Sequence, residues 1–81
     1  MTSSTVPTLD MQAFGKRLRA ARLHADVTQT ALAHDCAINL PHLNALERGK
    51  GAGARAETVL KLAWRLDVST DYLLGREVQH A

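Results

Sequence analysis

At 81 residues the chain has room for one small domain and no second core. Its residues are 46% hydrophobic but only 4% aromatic, so the core must come from Ala, Leu, Val and Ile, side chains that favour closely packed helices over sheet. A net charge of +2 permits an anionic partner without demanding one, and the single cysteine, Cys36, excludes an internal disulfide.

Residues 1–9 are Ser/Thr-rich with Pro7 and read as a flexible arm. The opening "MTSSTVPTLD" has neither a basic leader nor a long apolar run, so the expectation is a cytoplasmic protein with no signal peptide, no transmembrane helix and no membrane partner. Asp10 is a good N-cap for a first helix running to about Ala25. Its Met11, Phe14, Leu18, Ala21 and Ala25 keep the spacing of one buried stripe. Lys16, Arg17, Arg19 and Arg22 fill the rest, and Asp26 marks a turn.

Thr28 caps the next helix, "QTALAHD", with Ala31, Leu32 and Cys36 facing inward and His24 and His34 facing solvent. Asn39 caps a third, "LPHLNALER", which buries Leu43 and Leu46 and stops at Gly49. Pro41 falls in its first turn, where an N–H has no intrahelical acceptor, so the proline starts the helix instead of breaking it. The glycine-rich "KGAGARA" is a loop. A fourth helix covers about Arg55 to Leu66, with Ala56, Val59, Leu60, Ala63 and Leu66 inward and Trp64 partly outward. Ser69 caps a last helix, "TDYLL", ended by Gly75, and 76–81 form a tail. The fold class is therefore all-α: a compact five-helix domain over residues 10–75.

From Gln29 to Arg48 these pieces form a helix-turn-helix. Small Ala33 permits a close crossing, Ile38 plugs the elbow, and Leu43 and Leu46 hold the second helix with its N-terminal end outward, free to enter a major groove.

The runs "FGKRLRAARLHADVTQTALA", "ERGK" and "ETVLKLAWRLDVSTDYLLG" resemble the Xre-type, lambda-repressor-like helix-turn-helix family over about Phe14 to Gly75. The resemblance implies a dimeric transcriptional regulator, most simply a repressor, on a two-fold operator of double-stranded DNA. Asn39, Leu40, Pro41, Asn44 and Ala45 match positions that face base edges, with His42 a further polar candidate. Gln29 matches a residue that touches a phosphate and buttresses the reading helix. Thr28 beside it, together with Arg48 and Lys50, is placed for the DNA backbone, and Arg17 and Arg19 are candidates at the edge. Arg22 and Glu47 match a structural ion pair.

Two departures stand out. Asp26 and Ala37 replace glycines common in the family's turns; a left-handed Ala stores about 1 kcal/mol of strain. The reading positions Leu40, Pro41 and Ala45 are apolar, so Leu40 and Pro41 offer contact to thymine methyls, Asn44 supplies the main polar contact, and DNA shape carries part of the preference.

The same fold also serves antitoxins, whose main partner is a protein toxin, and that is the alternative reading. A neighbouring toxin or methyltransferase gene, or a gel shift, separates the two. No enzyme is expected: no nucleophile–base pair or phosphate loop is apparent, and His34, Cys36 and His42 have no metal-ligand spacing, so neither metal nor cofactor is implied. Trp64, joined by Leu73 or Leu74, either anchors a dimer interface or folds over against the C-terminal tail.

Overall fold

The computed structural model describes residues 6–76; residues 1–5 of the arm and 77–81 of the tail lie outside the described part. Five helices follow in order: α1 (Met11–His24), α2 (Gln29–Asp35), α3 (Leu40–Glu47), α4 (Ala56–Leu66) and α5 (Thr70–Leu74). No strand occurs among the described residues.

Four of the helices start on a side-chain cap. The Asp10 carboxylate accepts from the N–H groups of Gln12 and Ala13, the Thr28 hydroxyl from Ala31, Asn39 Oδ1 from His42 at 2.7 Å, and the Ser69 hydroxyl from Tyr72. Each bond satisfies a donor that the first turn leaves orphaned. Helix α4 begins at Arg55 without a side-chain cap and ends at Asp67, which takes the left-handed conformation at φ 59°.

Phe14, Leu18, Leu32, Leu43, Leu46, Leu62 and Leu73 are fully enclosed and form the centre of the core. Helix α1 lies across both α3 and α5, and α2 bridges α3 and α4. The inward stripe of α4 is Val59, Leu62, Ala63 and Leu66, which corrects the expected one. Leu60 is 59% exposed, whereas Leu62 is completely buried. The spacing explains it: Leu62 follows Val59 by three residues, close to a full turn, while Leu60 is rotated about 100° off the stripe. Ala25, Ala31 and Ala56 are also exposed. Alanine carries too little apolar area to dictate which way a helix face turns.

Gly15 sits mid-helix, where glycine costs about 1 kcal/mol relative to alanine. A Cβ there would stand 2.6 Å from the backbone oxygens of both Leu46 and Glu47, so only glycine lets α1 meet the end of α3 at this distance. The two turns that lack the family's glycines nonetheless keep a glycine-like backbone, with Asp26 at φ 60° and Ala37 at φ 56°. In the elbow, Ala33 is buried and its carbonyl accepts from the Ile38 N–H at 3.0 Å. Ile38 packs, partly buried, on the core.

Candidate nucleic-acid interface

Helix α3 is held from behind and left open in front. Leu43, Leu46 and Glu47 are its buried residues, and Asn39, Leu40, Pro41 and His42 are exposed at its start. Asn44 and Ala45, one turn further on, are half-buried on its flank. Four of the six expected base-reading residues, Asn39 to His42, are thus exposed at the start of a short helix whose inner side is locked to the core, with Asn44 and Ala45 on its flank. Arg48 and Lys50 follow directly and are exposed, as is Thr28 at the start of α2.

A polar network fixes the far end of this helix. Arg22 Nε donates to Glu47 Oε2 at 2.6 Å and Nη2 donates to Oε1 at 3.1 Å, with the two side chains 9% and 2% exposed. A forked guanidinium–carboxylate contact of this kind fixes direction as well as distance. Arg22 Nη1 also donates to the Val27 carbonyl, tying down the turn that Asp26 begins. Gln29 Nε2 donates to Glu47 Oε1 at 3.1 Å, and Asn44 Nδ2 donates to Gln29 Oε1 at 3.5 Å. One chain of contacts thus runs from α1 through α3 and α2 and back to Asn44 on the flank of α3.

Several expected residues land elsewhere. Arg17 faces α5, where its Nε donates to the Leu73 carbonyl at 3.0 Å and its guanidinium lies against Gly75. That contact gives it a structural task. Arg19 is exposed and one turn from both Gly15 and Arg22, the residues through which α1 meets α3, so it lies on the α3 side of α1. Leu73 is fully enclosed and cannot reach a partner, which corrects its place in the expected interface. Its short helix must close the core, and the central residue supplies the plug. Leu74 is exposed in a cleft it shares with Pro7, Leu9 and Arg17. Trp64 is 82% exposed; any contact with the tail beyond Arg76 lies outside the described residues.

Two contacts were missing from the sequence reading. Arg65 Nε donates to Asp35 Oδ2 at 2.7 Å, joining α4 to the end of α2. This hydrogen bond, with His34 second, holds the Asp35 carboxyl below its ordinary pKa. Opposite charges thirty residues apart leave no sequence signal. Cys36 is buried with its thiol against the Lys61 carbonyl, and burial pushes its pKa up, as suits a core thiol with no reactive role. Among the described residues no group of three or more His, Cys, Asp or Glu side chains is placed to hold a metal, and no helix is long and apolar enough to cross a membrane.

A family described as Helix-turn-helix matches residues 18–73, more than half of the chain. The chain belongs to the helix-turn-helix family, of the Xre and lambda-repressor type. It is a DNA-binding transcriptional regulator. Among solved structures it is similar to the restriction-modification controller protein C.AhdI from Aeromonas hydrophila, at 31% identity and a TM-score of 0.74, covering 79% of this chain and 96% of that one. The P22 c2 repressor, solved in complex with a synthetic operator, is 30% identical with a TM-score of 0.73 and covers 82% of this chain and 98% of its own. The clp gene regulator ClgR from Corynebacterium glutamicum is 28% identical with a TM-score of 0.77, over 84% of this chain and 71% of that one. No curated protein matches the sequence.

Proposed function

We propose that the protein is a homodimeric repressor that reads a two-fold operator by inserting the start of α3 into successive major grooves. The observation that carries this reading is the split character of α3: an exposed leading edge from Asn39 to His42 on a helix whose Leu43, Leu46 and Glu47 are buried. Leu40 and Pro41 present apolar surface to thymine methyls, and Asn44 presents an amide. Thr28 at the start of α2, Arg48 and Lys50 just after α3, and Arg19 on α1, all exposed, are the phosphate contacts in this reading. The relatives support the reading, since C.AhdI is a controller protein and the P22 c2 repressor is held on a synthetic operator.

A single helix-turn-helix covers too few base pairs for useful affinity, and two copies must sit about 34 Å apart on the duplex. The surface that suits a second copy is the outer face of α4. Leu60 and Trp64 are four residues apart and both exposed, making an apolar ridge flanked by Asp35, Lys61 and Arg65. A rim carrying both charge signs complements itself across a two-fold axis, as an isologous contact requires.

The test is a gel shift with the protein's own upstream DNA, followed by a salt titration of the affinity. Each phosphate contact contributes about 0.9 to the slope of log K against log salt. A slope of several units is expected; a slope near zero overturns the proposal and leaves the protein-partner alternative.

A further inference from the structure

We infer that His42 is a proton-dependent phosphate contact, so that the protein holds DNA more tightly as this imidazole takes up a proton; this rests on the DNA-binding reading above. The place of His42 on α3 decides the kind of contact. Two residues make about 200° of helical turn, so His42 leaves the helix on the side opposite Leu40 and Asn44, the residues offered to the bases. Its side chain lines a cleft between the start of α3 and the start of α4, with Asn39, Arg55, Glu57 and Lys61. The major groove is about 12 Å wide and one helix fills it, so a residue on that flank meets the phosphate wall instead of the base edges.

The groups around the ring suit an anion. Asn39 Oδ1 accepts from the His42 backbone N–H at 2.7 Å, a cap that does not involve the imidazole. Glu57, the acid in this cleft, is held by Lys61 at 3.2 Å. The elbow contributes Ala37 and Ile38, which carry no charge. Arg55 is exposed on the same wall. Two cations and one paired acid leave an excess of positive charge, which a phosphate oxygen answers.

Histidine changes its charge between about pH 5 and 8, a range in which phosphodiesters, Lys and Arg hold theirs. A phosphate beside the ring favours its protonated form, in which both nitrogens donate. Proton and DNA then bind together, each raising the affinity for the other. His24 and His34 stand elsewhere: His24 lines a groove between α1 and α5, and His34 lies 3.5 Å from Asp35 on α2.

The test measures fluorescence anisotropy of a labelled duplex of the protein's own upstream DNA from pH 6 to 8, with salt titrations at both ends. For each protomer bound, affinity at pH 6 is expected to be about fivefold higher than at pH 8. The salt slope steepens at pH 6 by up to about 0.9 per protomer, the mark of a phosphate contact. His42→Asn loses both effects, His42→Lys binds with the same affinity and slope at either pH, and a His24→Gln, His34→Gln double variant keeps the pH dependence. His42 is exposed and its backbone cap is untouched, so a thermal melt verifies each fold. A parent protein indifferent to pH, a pH dependence that survives His42→Asn or vanishes in the double variant, or equal salt slopes at the two pH values overturns the inference alone. No binding by the parent protein at any pH overturns it together with the DNA-binding reading.

Discussion

Arg22 and Glu47, twenty-five residues apart, meet through a forked contact at 2.6 and 3.1 Å in a part of the molecule almost closed to water. Each charge has a neutral hydrogen-bond partner as well, the Val27 carbonyl for Arg22 and the Gln29 amide for Glu47, but only the other residue balances its charge. Arg22→Met or Glu47→Leu alone is expected to cost about 3–5 kcal/mol, because each leaves a buried charge without its partner. The double variant should recover a good part of that loss. Urea unfolding of the three proteins checks it, and single-variant costs under about 1 kcal/mol would mean that water reaches the pair.

The crossing of α1 on α3 depends on a missing side chain. Gly15→Ala adds a methyl 2.6 Å from two backbone oxygens, and neither oxygen can swing away as a side chain would. Alanine's better helix propensity returns about 1 kcal/mol, but overpacking of this sort costs about 1–3 kcal/mol and more when backbone must shift. A net loss of about 2 kcal/mol is expected in denaturant unfolding. An equal or raised midpoint would show that the helices stand further apart than described.

Ala37 offers the opposite experiment. At φ 56° its Cβ crowds the following carbonyl, a strain of about 1–2 kcal/mol. Ala37→Gly removes that strain and adds back about 0.4–1 kcal/mol of unfolded-chain entropy. A net stabilisation of about 0.5 kcal/mol should appear as a higher urea midpoint at unchanged slope.

Trp64→Ala separates folding from association. With 82% of the residue exposed, its loss should alter monomer stability by no more than about 0.5 kcal/mol. A central aromatic anchor is worth about 2 kcal/mol or more to an interface, a thirtyfold weaker dimer on sedimentation equilibrium. Unchanged self-association in the variant would remove the α4 face as the dimer surface.

The Asp35–Arg65 bond sets a pH dependence at the acid end. Since the folded pKa lies below the ordinary value of 3.8, the pair's stabilising effect is complete above that value and is lost as the pH falls through the lowered one. In Arg65→Ala the Asp35 carboxyl resonance should titrate at higher pH, with His34 retaining a smaller lowering effect. An unmoved titration would show that Arg65 does not hold this carboxylate in solution.

Much of this molecule is legible one helix at a time. Asp10, Thr28, Asn39 and Ser69 mark helix starts because capping is a contact within four residues of chain, and Gly49 and Gly75 mark ends for the same reason. The stripe Met11, Phe14, Leu18 and Ala21 is legible because one helix face repeats at a fixed interval. The stripe of α4 is legible on the same ground, since Leu62 follows Val59 by three residues and Leu60 falls off that face. Gly15 is different in kind: the cost of a mid-helix glycine is local, but the oxygens that require it belong to α3.

What the chain alone determined is thus its five helices, their caps and the helix-turn-helix spacing, all governed by forces acting across a few residues. Only the folded molecule decided that Leu73 closes the core, that Arg17 faces α5, that Asp35 finds Arg65, and that Gln29 stands between Glu47 and Asn44. These are pairings across long stretches of sequence. Their strength comes from the direction and exclusion of water that arise once separate helices pack together.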